Sequence, residues 1–144
     1  MNASHSLCLM IIALLFAVPS TLLASPRDGV TIAEREAEPR LNDLVITAEI
    51  VDRKPHKPSA TYPKDVGTLF CWVSTRNLSA PATLSIIWRH DDAEVIRQTM
   101  EVGVSTRWRS WVRRRVNPRR VGRWSCEIRD AEGISLGKAT ATVK

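Results

Sequence analysis

From residue 44 onward, the chain alternates short apolar segments with polar turns, and many of these segments have the two-residue period of a half-buried β-strand. Leu44 to Val51 is rich in β-branched residues and is the first predicted strand. No segment shows a sustained helical period. The pattern predicts an all-β fold, a sandwich of about seven antiparallel strands. The predicted strands are residues 44–51, 68–75, 82–89, 94–102, 106–116, 121–129 and 134–143.

The first 24 residues differ from the rest because they carry no Asp, Glu, Lys or Arg and include an apolar run from Leu7 to Val18. Pro19 ends that run, and the small residues Ala24 and Ser25 offer a cleavage point. This pattern is typical of a secretory signal peptide, and the run is too short to span a bilayer as a helix. We predict a signal peptide over residues 1–24, a periplasmic or secreted protein, and no transmembrane span after cleavage. An uncleaved membrane anchor is the alternative.

Residues 25–43 are polar and charged, and they predict a flexible leader before a β-sandwich domain over residues 44–144. Three prolines within residues 52–63 predict an extended connection after the first strand. The formal net charge is +6, and acids outnumber bases in residues 25–52, so the C-terminal half is the more basic one. This asymmetry indicates either a polyanionic partner or a solvated surface alone.

Two cysteines remain in the predicted mature domain, Cys71 and Cys126. In an oxidising compartment such a pair favours a disulfide, and two reduced buried thiols are the alternative. Trp88 lies between them, so that a Cys, a Trp and a Cys fall on the second, third and sixth predicted strands. Immunoglobulin domains share this arrangement, in which the disulfide joins the two sheets and the tryptophan packs on it. We therefore predict an immunoglobulin-like sandwich with Trp88 and Trp124 in its core.

The stretch from residue 103 to residue 126 holds eight arginines, three tryptophans and no acidic residue. If residues 106–116 form a regular strand, Trp108, Ser110 and Val112 point toward the core, and the residues that alternate with them point outward. Trp108 is therefore predicted as a third core tryptophan. Guanidinium groups bind carboxylates and phosphates and stack on aromatic rings. The candidate binding surface is the outward-facing set of Arg107, Arg109, Trp111 and Arg113.

No catalytic motif accompanies this surface, so we expect no enzyme activity. His90, Asp91, Asp92 and Glu94 have the chemistry of metal ligands, but their sequence also fits a hairpin turn, and no metal or cofactor is expected. An exported protein without a recognition motif is not expected to bind specific nucleic acid. Two hypotheses remain. The domain binds a protein or an anionic envelope component, such as an acidic glycan or lipid, or it is a purely structural accessory domain.

Several segments carry a resemblance to a known family. They are Asp52-Arg53-Lys54-Pro55, Gly67-Thr68-Leu69-Phe70-Cys71-Trp72, Ile87-Trp88-Arg89-His90-Asp91 and Gly122-Arg123-Trp124, and the most specific is Arg107-Trp108-Arg109-Ser110-Trp111. Together they resemble, over about residues 44–143, the bacterial family called domain of unknown function 2914. The resemblance implies a β-rich domain of envelope or membrane-associated proteins without an established activity. The family more often has an aliphatic residue at the position of Cys126, so the resemblance does not imply the disulfide.

Overall fold

Ten β-strands run through residues 39–144, which are the part of the chain that the computed structural model describes. The predicted signal peptide and most of the predicted leader lie outside these residues. Seven strands are long, as the alternation predicted, and three are short. The strands are β1 (Arg40–Thr47), β2 (Glu49–Val51), β3 (Lys54–His56), β4 (Thr61–Tyr62), β5 (Thr68–Asn77), β6 (Ala82–His90), β7 (Ala93–Val102), β8 (Ser105–Arg115), β9 (Gly122–Arg129) and β10 (Ser135–Val143).

Two sheets form the sandwich, and the all-β prediction is confirmed. β1, β5 and β8 make a three-stranded antiparallel sheet in that order. The other sheet has the order β4-β10-β9-β6-β7, in which the short β4 pairs with β10 in parallel and the remaining pairs are antiparallel. β2 and β3 form a separate hairpin. Within residues 39–144, no helix is long and apolar enough to cross a membrane.

The disulfide between Cys71 and Cys126 joins the two sheets, because Cys71 is on β5 and Cys126 is on β9, with Cα atoms 6.2 Å apart. Trp88 on β6 is the cross-strand neighbour of Cys126, and its ring meets that of Trp124 edge to face at a centroid distance of 6.5 Å. All four side chains are fully buried. The predicted disulfide is therefore confirmed, and the structure has the Cys–Trp–Cys arrangement of an immunoglobulin-like sandwich.

The core lies between the sheets because each long strand turns every second side chain inward. Branched and aromatic side chains at these positions fit the pleated surface and remove apolar area from water. Buried inward residues include Leu69, Cys71 and Val73 on β5, Leu84, Ile86 and Trp88 on β6, and Trp124, Cys126 and Ile128 on β9.

The prediction that Trp108 is a core residue is wrong. Its cross-strand partner Thr75 is fully buried, so Trp108 does lie on the inner side of the three-stranded sheet. However, β8 is the edge strand of that sheet, and the Trp108 side chain is 39% exposed. The ring covers the side of the sandwich at Gly103, where an added Cβ would lie 2.5 Å from Cζ3 of Trp108.

Two segments differ from their predicted structure. β1 begins at Arg40, inside the segment predicted as leader, because Arg40 continues the backbone ladder to Arg76 even though its side chain is polar. The predicted extended connection contains the β2–β3 hairpin. Its two-residue turn, Asp52-Arg53, has positive φ at both residues, 51° and 60°, as a type I′ hairpin turn requires.

Candidate functional site

The outer face of the three-stranded sheet is formed by the residues of β5 that alternate with its core residues. Each of them lies between one residue of β1 and one of β8, so the face consists of rows that run across the three strands. Directly opposed side chains in such a row are close neighbours. The three central rows are Asp43–Ser74–Arg109, Val45–Trp72–Trp111 and Thr47–Phe70–Arg113.

The β2–β3 hairpin folds over part of this face and is held there by hydrogen bonds. The Thr47 hydroxyl donates to the carbonyl oxygens of His56 and Glu49, at 2.8 and 3.1 Å. The Trp72 indole Nε1–H donates to the carbonyl oxygen of Arg53 at 3.0 Å. As a result, Trp72 is only 5% exposed, although it lies on the outer face and is not part of the core between the sheets.

An open cleft of about 430 Å³ lies between the hairpin and β8. Small-molecule sites in proteins have volumes of about 300 to 1,000 Å³, so the cleft has the size of a ligand site. Its residues come from β1, the hairpin, β5 and β8. They are Asn42, Asp43, Lys54, Pro55, Trp72, Ser74, Arg107 and Arg109.

The cleft is positively charged, and its charges are not neutralised by neighbours. Lys54, Arg107 and Arg109 supply three cations, and Asp43 is the one acid among the lining residues. None of these four side chains forms an ion pair with another residue of the described part of the chain. Their charged groups are therefore available to a ligand.

Ser74 is the buried polar residue of the cleft. Its side chain is 3% exposed, and its hydroxyl has no hydrogen-bond partner among residues 39–144. A buried polar group without a partner costs about 1 to 3 kcal/mol. The hydroxyl oxygen is shielded from solvent, so it would have to rotate about the Cα–Cβ bond to another staggered position to reach a group in the cleft.

The four predicted binding residues lie along one strand and differ in their positions relative to the cleft. Arg107 and Arg109 line it. Trp111 is 40% exposed and is the cross-strand neighbour of Trp72, so its side chain lies beside the cleft without lining it. Arg113 lies one row further along β8, outside the lining.

The outer face of the other sheet has a different character, because its arginines Arg89, Arg97 and Arg129 are paired with carboxylates. Glu127 lies opposite the fully buried Ile87 and accepts hydrogen bonds from the guanidinium groups of Arg89 and Arg129. Burial of the Glu127 carboxyl would raise its pKa, but hydrogen bonds from Arg129, Arg89 and Ser135 outweigh this and lower the pKa to about 2. The charges of Glu127, Arg89 and Arg129 thus neutralise one another within the sheet, and their hydrogen bonds stabilise it.

The polar segment at residues 90–94 forms the β6–β7 hairpin turn. Asp91 and Asp92 both have positive φ, and the Asp91 carboxylate accepts a hydrogen bond from the backbone N–H of Arg123 at 2.8 Å. The Nε2 atom of His90 lies 2.8 Å from the carbonyl oxygen of Val121. Within the described residues, no three His, Cys, Asp or Glu side chains are grouped to hold a metal ion. The contacts of Asp91 and His90 hold the turn against the start of β9.

Sequence reasoning missed the contributions of β1, the hairpin and β5 to the cleft. Trp72 and Ser74 could have been found, because they alternate with Cys71 and Val73 and so must lie on the outer face. Lys54 carries no such signal, since its position depends on the hairpin folding back over Trp72.

The chain is similar to one protein family and to a solved structure. Residues 81–143 match the family model described as "Protein of unknown function (DUF2914)", so the predicted resemblance is confirmed from β6 to β10. No curated protein matches the chain. A solved structure of cycloisomaltooligosaccharide glucanotransferase from Paenibacillus sp., complexed with cycloisomaltoheptaose, is similar with a TM-score of 0.48 and 14% sequence identity. That match covers 73% of this chain and 14% of the glucanotransferase chain.

Proposed function

We propose that this protein is an exported, non-catalytic binding module that holds an anionic ligand in the cleft on the outer face of its three-stranded sheet. The observation that carries the proposal is the set of three unpaired cations, Lys54, Arg107 and Arg109, around one cleft. The exposed ring of Trp111 extends the surface beside them.

The charge arrangement supports an anionic ligand for an energetic reason. On the other sheet, arginines such as Arg89 and Arg129 are paired with Glu127, so a ligand there would have to displace an internal carboxylate. The cleft cations face solvent without such a partner. A hydrogen bond to a charged group contributes about 1.5 to 3 kcal/mol, so two or three of them contribute about 3 to 9 kcal/mol to binding before the entropy lost on association is subtracted.

The proposed location supports the same class of ligand. The apolar N-terminal run and the Cys71–Cys126 disulfide are both compatible with an oxidising compartment outside the cytoplasm. Glycans and lipids of a bacterial envelope commonly bear carboxylates or phosphates, which are the groups that guanidinium forks recognise.

Two observations support a non-catalytic role. The Ser74 hydroxyl has no base within hydrogen-bond distance among residues 39–144, whereas a nucleophilic serine needs one. The two histidines of residues 39–144, His56 and His90, both lie outside the cleft lining. His56 is 3.9 Å from Glu49 on the hairpin, and His90 is 3.5 Å from Asp91 in the β6–β7 turn.

Calorimetric titration of the full-length protein tests the proposal. The probes are hexaglutamate, trigalacturonate and vesicles containing phosphatidylglycerol, each at low and at moderate salt. We expect at least one probe to bind, and the double variant Arg107→Gln/Arg109→Gln to weaken that binding at least about tenfold. Arg119→Gln/Arg120→Gln is the matched control, because it also removes two charges, from exposed positions outside the cleft. Equal binding by the double variant and the wild type, or no binding of any probe, would contradict the proposal and favour a purely structural domain.

A further inference from the structure

The cleft contains groups of both charge signs in a fixed order. Asp43 and Arg109 lie on opposite sides of Ser74 in one cross-strand row. Adjacent strands are about 4.8 Å apart, so the backbones at these two residues are about 10 Å apart across the floor of the cleft. This separation agrees with the absence of an ion pair between their side chains within the described residues.

An anion alone does not suit this arrangement. Asp43 repels a carboxylate or a phosphate, and an ionised carboxylate has no hydrogen-bond donor to offer the acceptor oxygens of Asp43. A carboxylate such as Asp43 accepts hydrogen bonds and donates none, whereas a serine hydroxyl both donates and accepts. The ligand that fits has negative charge at one end and hydroxyl donors at the other.

The apolar part of the cleft adds a third requirement. Pro55 and the small exposed part of Trp72 contribute apolar surface to the lining, and the indole of Trp111, which is 40% exposed, lies next to it. A tryptophan supplies a large apolar face together with one polar N–H group. The Trp72 N–H already donates a hydrogen bond to the carbonyl oxygen of Arg53. A ligand that packs on these faces must have an apolar face of its own, as the C–H face of a sugar ring does.

We propose that the ligand of the cleft is an acidic sugar of the uronic-acid type. Its carboxylate binds the cations of Lys54, Arg107 and Arg109, and its ring hydroxyls bind Asp43 and Ser74. This inference rests on the proposed function, because it names the ligand class of the same site. It differs in assigning Asp43, which repels anions, and the uncharged Ser74 as the residues that bind the sugar hydroxyls.

The test compares three probes on the full-length protein by calorimetric titration. Trigalacturonate has carboxylates and hydroxyls, triglutamate has carboxylates without ring hydroxyls, and maltotriose has hydroxyls without charge. We expect trigalacturonate to bind at least about tenfold more tightly than either of the others. Thermal unfolding of every variant accompanies the titrations, so that a loss of binding is not mistaken for a loss of fold.

The variants distinguish a sugar ligand from a ligand that is only an anion, because one substitution should change the affinities of the two probes in opposite directions. Asp43→Asn removes an acceptor for sugar hydroxyls but also removes a charge that repels anions. We therefore expect it to weaken trigalacturonate at least about threefold and to leave triglutamate unchanged or stronger. Ser74→Ala should weaken trigalacturonate, whose ring hydroxyls can both donate to and accept from Ser74. Asp65→Asn is the matched control, since Asp65 is exposed and does not line the cleft.

Each result decides between the two proposals. If triglutamate binds as tightly as trigalacturonate and Asp43→Asn strengthens both, the anion-binding function stands and the sugar inference is overturned. If maltotriose binds as tightly as trigalacturonate, the carboxylate has no role and both proposals fall. Failure of all three probes to bind overturns this inference, and the wider probe panel then decides the proposed function.

Discussion

Reduction of the Cys71–Cys126 disulfide should remove a large part of the stability of the domain. The two cysteines are 55 residues apart in the sequence, so the bond closes a long loop in the unfolded chain. In the chain-entropy model, a loop of this length corresponds to about 4 kcal/mol at room temperature. For a domain whose stability falls by about 2 kcal/mol per molar urea, the unfolding midpoint moves by about 2 M.

Equilibrium urea unfolding, followed by tryptophan fluorescence with and without a phosphine reductant, measures this shift. Trp88 and Trp124 are buried next to the disulfide and report the loss of the core. The double variant Cys71→Ala/Cys126→Ala is the control, because its midpoint should not depend on reductant. Equal midpoints for the oxidised and reduced wild type would refute the argument that the bond restricts the unfolded chain.

Three further substitutions test separate parts of the structure. Because the folded pKa of Glu127 is about 2, below its ordinary value of 4.5, its contribution of at most about 3 kcal/mol is present above pH 4.5 and is lost as the pH falls toward 2. Glu127→Gln should abolish that part of the acid sensitivity of the thermal midpoint. Gly103→Ala should displace the Trp108 ring, change its fluorescence and destabilise the domain by about 1 to 3 kcal/mol; an unchanged spectrum would contradict the close approach. Trp72→Phe removes the hydrogen bond to the carbonyl of Arg53, at a cost of about 1 kcal/mol, and should speed amide exchange in the β2–β3 hairpin but not in β9.

The main strands and the connection between the sheets could be predicted from the sequence for a physical reason. Each long strand buries one face, so its apolar residues repeat every second position, as Leu84, Ile86 and Trp88 do on β6. Cys71 and Cys126 fall on inward positions of their strands, which places them within reach of each other once the sheets pack. These are local patterns that one segment carries by itself.

The features that could not be predicted depend on how separate segments meet. The alternation placed Trp108 on the correct side of its strand, but it contained no information that β8 is an edge strand whose end is open to solvent. Similarly, the prolines near Lys54 indicated an extended connection. The type I′ turn made by Asp52 and Arg53, and with it the hairpin over Trp72, was therefore not predicted. The cleft depends on that hairpin, and for this reason only its β8 side was predicted.

The claim that the cleft on the outer face is the binding site can be tested by NMR on the indole N–H groups of the five tryptophans. Trp72 lines the cleft and Trp111 lies beside it, whereas Trp88 and Trp124 are in the core and Trp108 lies on the opposite side of its sheet. On titration with trigalacturonate, we predict that the signals of Trp72 and Trp111 shift together in a saturable manner while those of Trp88 and Trp124 stay in place. A saturable shift confined to Trp108, or binding that leaves both cleft signals unmoved, would contradict the account.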